Sequence, residues 1–248
     1  MPDLLPAGII TQARMGSTRL PGKVLRTARG HSMLAFHVER LRASELPVYI
    51  ATTSLPADDA IVAEANRLGV PYFRGDEENV LQRYYDTATH FGLGTIVRVT
   101  SDCPLIDGEL IRRGVKQYLA AQNPQLYLSN GIERTFPRGL DFEVFSYELL
   151  RQAQLHATSL SDKEHVTPYI HQNRSGKVEF AHIIRNTDAS RFRVTLDTPD
   201  DFTLLHTLLE QYQADTLSAD QLVQLLENHP ELVAINATSE QKKYDFSA

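Results

Sequence analysis

Arg14, Arg19 and Lys23 fall within ten residues of one another in the stretch QARMGSTRLPGK (residues 12–23). Between them stand Ser17 and Thr18, with Gly16 and Gly22 to bend the backbone. Hydroxyls, backbone N–H groups and fixed positive charges on one flexible loop suit the gripping of phosphate oxygens. The spacing is not that of the nucleoside-triphosphatase P-loop, which needs four residues between Gly and Gly-Lys and a Ser or Thr after the Lys. Here five residues separate Gly16 from Gly22, and Val24 follows Lys23. A dinucleotide Gly-x-Gly-x-x-Gly fingerprint is absent. Kinase and dehydrogenase chemistry lose their main support.

Two acids complement that loop. Asp102 lies in TSDCPLID (residues 100–107) and Asp197 in LDTPDD (residues 196–201). Carboxylates are the hard oxygen ligands that Mg²⁺ takes singly or in pairs, completing its shell with phosphate oxygens and water. Each Asp alone also suits a turn or a helix cap. The pair, opposite a phosphate loop, is expected to hold Mg²⁺.

The elements that must position these groups follow from periodicity. Residues 7–12, 48–53, 72–73 and 95–100 are short apolar runs that read as strands, the first directly before the basic loop. Between them lie helical patterns. Ser32 is placed to cap a helix bearing Leu34, Val38 and Leu41. A second starts near Asp58 and stops at Gly69. A third has Asn79 and Gln82 as a capping box and ends at Gly92, and a fourth runs from Asp107 to about Asn123. Strict strand and helix alternation predicts an α/β fold, a mostly parallel sheet flanked by helices. Ligands of such sheets collect beyond the carboxyl ends of the strands, where the basic loop and Asp102 stand.

The pattern changes after residue 126. Two strand-like pieces flank a polar segment from Asn130 to Leu140. Ser161 and Glu164 read as a capping box for a helix through about Asn173. Residues 177–185 and 192–196 alternate like strands, Thr198 caps a helix with Pro199 in its first turn, and a last helix spans roughly 218–228. One domain over 1–248 is expected, with 126–190 as an extra β/α subregion; the tail after Thr238 reads as loose.

The bulk composition excludes several classes. The chain of 248 residues carries a net charge of −6, which argues against wholesale nucleic-acid binding. A lone Cys103 precludes an internal disulfide and a cysteine-based zinc site. The N-terminal MPDLLP lacks a basic region and a long apolar stretch, and no run reaches the length of a membrane span. A cytoplasmic protein without membrane contact is expected.

Six segments together carry a resemblance: residues 12–23, NVLQRYY (79–85), residues 100–107, RGLDFEVF (138–145), KEHVTPYI (163–170) and LDTPDDF (196–202). In this order they resemble the acylneuraminate cytidylyltransferase-like family, most closely its SpsF-like branch of spore-coat polysaccharide biosynthesis. The CMP-KDO and CMP-sialate synthetases are similar at greater distance. The resemblance implies a glycosyltransferase-A-like nucleotidyltransferase fold and transfer of CMP from CTP to an acidic sugar, with pyrophosphate released. It further implies a homodimer with contacts in 126–190. Arg14, Ser17, Arg19 and Lys23 match the family's triphosphate loop, and Asp102 and Asp197 its Mg²⁺ acids. Gln12 departs from the synthetases, which usually carry Pro there.

Arg14, Lys23, Asp102 and Asp197 are therefore the candidate catalytic residues. Gly16, Ser17, Arg19 and Arg83 join Arg14 and Lys23 as nucleotide-binding candidates. Asn130, Arg138, Asp141, Glu143 and His165 are the acceptor-site candidates, Arg138 being suited to a carboxylate or phosphate. Two other readings compete. A nucleotide-sugar-dependent glycosyltransferase would carry an Asp-x-Asp motif, where residues 101–104 offer one acid. A non-catalytic nucleotide-binding protein would not need Lys23, Asp102 and Asp197 together.

Overall fold

A computed structural model of the chain describes residues 6–239. Its strands are β1 Ala7–Gln12, β2 Thr27–Ala28, β3 His31–Ser32, β4 Val48–Thr53, β5 Tyr72–Gly75, β6 Thr95–Thr100, β7 Leu126–Ser129, β8 Glu143–Ser146 and β9 Glu179–His182. Seven of them form one sheet in the order β5-β4-β1-β6-β8-β7-β9, and β2 and β3 make a small separate hairpin. β8 alone is antiparallel to its neighbours; β1 with β4 and β6, β4 with β5, and β7 with β9 are parallel.

The helices are α1 Met33–Arg42, α2 Asp59–Leu68, α3 Val80–His90, α4 Gly108–Ala121, α5 Tyr147–His156, α6 Leu160–His165, α7 Pro168–His171, α8 Pro199–Tyr212, α9 Ala219–Asn228 and α10 Pro230–Ala234. Strand alternation sorts them onto two faces. Ile9, Ile50, Val97 and Val144 point into one core with α1, α2, α4, α8 and α9. Ile10, Ala51, Ile96 and Phe145 point into the other with α3, α5 and α7. Burial on both faces is why these strands read as continuous apolar runs.

The strands and helices predicted for the N-terminal half all form. Ser32 accepts from Ala35 N, Gly69 stops α2 in the left-handed region, and Asp107 accepts from Glu109 N and Leu110 N. Asn79 accepts from Gln82 N, but the Gln82 amide turns to Asp86, so the capping box is half made.

Three expectations for the second half need correction. The cap near 160 is Ser159 with Asp162, not Ser161 with Glu164. That helix does not run on to Asn173: it breaks at Val166 (φ 71°) and restarts as α7. Pro168 has no N–H to continue the ladder and disfavours a helical residue before it. Residues 192–196 are extended but form no strand of the sheet; their backbone pairs with the loop at Arg138 instead. The hairpin β2–β3 and helices α5 and α10 have no counterpart in the sequence reading. The chain from 240 on and the first five residues lie outside the described residues.

Reversal of β8 decides where the second half delivers its loops. Glu143, the first residue of β8, pairs with Arg98 near the end of β6. The segment 130–142 therefore emerges at the same edge of the sheet as the basic loop after β1 and the loop after β6. Among the described residues no helix is long and apolar enough to cross a membrane.

Candidate active site

The basic loop leaves β1 at Gln12 and is held at several points. Met15 N donates to Asp58 Oδ1 at 2.6 Å, Gly22 N to Met15 O at 3.1 Å, and Leu20 N to Ser17 Oγ at 3.3 Å. Leu20 and Val24 are buried anchors. Gly22 takes φ 64°, which a side chain disfavours, and this turn sends Lys23 back over the sheet. Gly16, Ser17, Arg19 and Lys23 line one cavity of about 470 Å³, along with Arg14, Gln12, Arg83 and Glu164. Arg14 sits at the rim, its side chain 42% exposed and 3.7 Å from Glu77.

The two acids are brought together by backbone. Leu196 N donates to Asp102 O at 2.7 Å, and the Thr195 hydroxyl adds a second bond to the same carbonyl at 3.3 Å. Beneath this junction His37 is wholly buried. Its Nδ1 lies 2.9 Å from Cys103 O, a pure acceptor, so Nδ1 carries the proton and Nε2 accepts from the Thr11 hydroxyl, also at 2.9 Å. Burial pushes His37 down to about 4, so it stays neutral and holds the Asp102 turn against β1 and α1.

Lys23 joins the acids directly. Its Nζ is 3.0 Å from Asp102 Oδ2 and 2.9 Å from Asp197 Oδ1. Asp197 also receives Arg19 at 3.2 Å and Arg193 at 2.9 Å. Arg193 is fixed in turn by Asp201, whose buried carboxylate closes the capping box of α8 with Thr198. Sequence reading missed Arg193; its spacing of four and eight residues to Asp197 and Asp201 was the available signal.

The charges are coupled. Burial opposes the Lys23 ammonium, but Asp102 and then Asp197 outweigh it and lift the group above the ordinary lysine value. Burial likewise opposes ionised Asp102, yet Lys23, the Thr100 hydroxyl and Cys103 bring it to about 2. The sign of the pH dependence follows. A lowered carboxyl stabilises the fold above its unfolded range near ~4 and loses that contribution as pH falls toward about 2. A raised lysine stabilises below 10.5 and loses it as pH climbs through the folded value. The stability gap between the wild type and Lys23→Met, read by urea titration, is therefore expected to be widest near neutrality. It should narrow below about pH 4 and above about pH 10.5. A gap constant with pH would contradict the pairing.

A second, larger cavity of about 680 Å³ adjoins the first. Arg98, Thr100, Asp102, His165 and Asp197 line both. Arg138, Asp141 and Glu143 lie on its wall. Glu143 pairs with Arg98 at 2.9 Å, and Asp141 with Arg134 at 2.5 Å. Arg98, Arg134 and His171 also line it and were not picked out from sequence. Arg98 could have been found, because a cation inside an otherwise apolar strand is unusual. Asn130 needs correction: it is fully buried off the cavity, donating to Leu140 O at 2.7 Å and accepting from Phe142 N at 2.9 Å. Both ends of its amide close the 130–142 loop.

This arrangement puts the basic loop and the larger cavity on either side of two carboxylates. Residues 8–246 match the family described as cytidylyltransferase. The chain belongs to the cytidylyltransferase family. The enzyme is a nucleotidyltransferase by that membership. It is 32% identical over 240 residues to the spore coat polysaccharide biosynthesis protein SpsF of Bacillus subtilis, covering 93% of this chain and 97% of SpsF. Its fold superposes with TM-score 0.88 and 33% identity on a cytidylyltransferase from Leptospira borgpetersenii serovar Hardjo-bovis, over 97% of this chain and 99% of that one. A CMP-2-keto-3-deoxy-manno-octonic acid synthetase solved with CTP shares the fold at TM-score 0.58 and 16% identity, over 82% of this chain and 98% of that one.

Proposed function

We propose that the enzyme transfers CMP from CTP to an acidic sugar and releases pyrophosphate, as a step in surface polysaccharide synthesis. The observation that carries this reading is the meeting of two cavities at Asp102 and Asp197, one lined by the basic loop and the other by arginines and histidines. The name of SpsF supports a role in polysaccharide synthesis, and that of the CTP-bound synthetase supports the nucleotide and acceptor classes.

The donor set fits Mg²⁺. Two carboxylates already converge on one positive charge, Lys23 Nζ. Among the described residues no group of three or more His, Cys, Asp or Glu side chains could hold a metal, so phosphate oxygens and water would complete the shell. Asp102 and Asp197 would hold the ion, which supplies charge neutralisation at the phosphates.

The chain's own groups do the rest. Arg14, Arg19 and Lys23 bind the triphosphate, and Lys23 leaves the carboxylates for the phosphates as the nucleotide arrives. Arg138 and Arg134 orient an anionic acceptor in the larger cavity. An acceptor oxygen attacks the α-phosphorus, a new phosphoester bond forms, and the bond to the β-phosphate breaks. The basic loop stabilises the negative charge of the leaving pyrophosphate.

The test is pyrophosphate release with Mg²⁺ and each of the four nucleoside triphosphates, against nonulosonic acids, 3-deoxy-manno-octulosonate and sugar phosphates. Release is expected with CTP only, and only when an acidic sugar is present. Release that follows sugar phosphates, or that ignores the nucleotide, would overturn the reading.

A further inference from the structure

The two oxygens of the Asp197 carboxylate have different partners. Oδ1 meets Lys23 Nζ at 2.9 Å and Arg19 at 3.2 Å, both from the basic loop. Oδ2 accepts from Arg193 Nη2 at 2.9 Å. Arg193 is not among the residues that line either cavity, so it holds Asp197 from outside them.

Local structure fixes that hold. In the extended strip 192–196, Val194 and Leu196 turn into the core. Alternation puts Arg193 and Asp197 on the other side of the strip. Arg193 Nη2 also donates to Asp201 Oδ2 at 2.8 Å, and Nε donates to Asp201 Oδ1 at 2.8 Å. Asp201 is fully buried and is itself held by Asp197 N, Thr198 N and the Asn236 amide. The guanidinium therefore has one orientation, and it stays charged at any working pH. Lys23 differs, being a point charge on a flexible stem, which the proposed function moves to the phosphates. Its departure frees Oδ1 and leaves Oδ2 engaged.

We infer, on the reading that Asp102 and Asp197 hold a divalent cation at the nucleotide phosphates, that Arg193 is a positioning residue. It restricts Asp197 to one ligating oxygen, Oδ1, and so favours Mg²⁺ over Ca²⁺. Mg²⁺ demands a near-octahedral shell and takes few carboxylates, with phosphate oxygens and water completing it. Ca²⁺ takes roughly six to eight oxygens and gains from a carboxylate that offers both of its own. A carboxylate with one oxygen tied to a fixed guanidinium serves the smaller ion and denies the larger one its second contact. Partners behind a ligand act in this way, by setting how it is presented.

Calorimetric titration of Mg²⁺–CTP and of Ca²⁺–CTP into the full chain reads the preference directly, with no acceptor sugar and no turnover. The wild type is expected to bind Mg²⁺–CTP more tightly. Arg193→Lys keeps the charge but cannot bridge two carboxylates with a planar fork. It should lower the preference for Mg²⁺ about tenfold. Arg193→Gln combined with Asp201→Asn removes the pair together, leaves no buried carboxylate without its cation, and should lower the preference likewise. A preference unchanged in both variants, or an equal loss for both ions, would reduce Arg193 to a structural role and overturn the inference. A folded wild type that binds the two complexes equally well would overturn it too, while the cytidylyltransferase reading stands. CTP binding that neither metal strengthens would remove the cation reading and the inference with it.

Discussion

Asp102→Asn is expected to lower pyrophosphate release by about 10³-fold at saturating CTP, the order seen when a preorganised charge is removed from a reacting centre. The substitution keeps shape and takes one charge. The Asp102 backbone carbonyl still accepts from Leu196 N and the Thr195 hydroxyl, so the loop that bears the site keeps its anchor. What changes is the electrostatic pair. Lys23 is left with Asp197 alone, and the carboxylate set that the proposed function gives to Mg²⁺ falls to one. In the proposed function CTP is gripped mainly by Arg14, Arg19 and Lys23, so its affinity should fall far less than the rate. A change confined to nucleotide affinity, with the rate intact, would show that Asp102 is only a docking group.

Gly139→Ala is expected to destabilise the fold by about 3 kcal/mol, measured by urea unfolding, because it combines backbone strain with a clash that cannot relax. Gly139 takes φ 103°, and an added Cβ would stand 2.6 Å from Val194 C and 2.8 Å from Thr195 N. Those atoms are backbone, and they belong to the segment leading to Asp197. Two hydrogen bonds lock the strips together at this point: Arg138 N to Phe192 O at 3.0 Å and Val194 N to Arg138 O at 2.7 Å. Forcing them apart separates the wall of the larger cavity from one of the two acids, so activity should fall with stability. Gly92→Ala is the control. It also has positive φ, 65°, but nothing lies within 4 Å of an added Cβ. It should cost only the left-handed strain of about 1 kcal/mol.

The first half of the chain was legible because its signals are local. Each strand of the main sheet there is a short apolar run, and three of the four following helices carry a side-chain cap, as Ser32, Asn79 and Asp107 provide. The basic loop and both acids were legible by residue type. Their direct union through Lys23 was not, since it depends on Leu196 meeting the Asp102 carbonyl, a contact between two loops. Around residue 160 the sequence offers two equivalent patterns, Ser159 with Asp162 and Ser161 with Glu164. The choice falls to Asp162 because it is fully buried and paired with Arg174 at 2.7 Å, a tertiary fact. Asn130 misled for a similar reason. An asparagine that closes a loop and one that holds a ligand are the same residue in a sequence, and only the destinations of its two bonds tell them apart.

The bridge from Lys23 reaches 79 residues down the chain to Asp102 and 174 residues down it to Asp197. During synthesis the basic loop, β1 and the Asp102 turn emerge long before Asp197 exists. A nascent chain can thus hold most of the residues that line the smaller cavity while still lacking one wall of its charge cluster. Lys23 and Arg19 then face an incomplete set of counter-charges until residues 192–197 dock. In the proposed function, turnover therefore requires residues 192–197 to be docked.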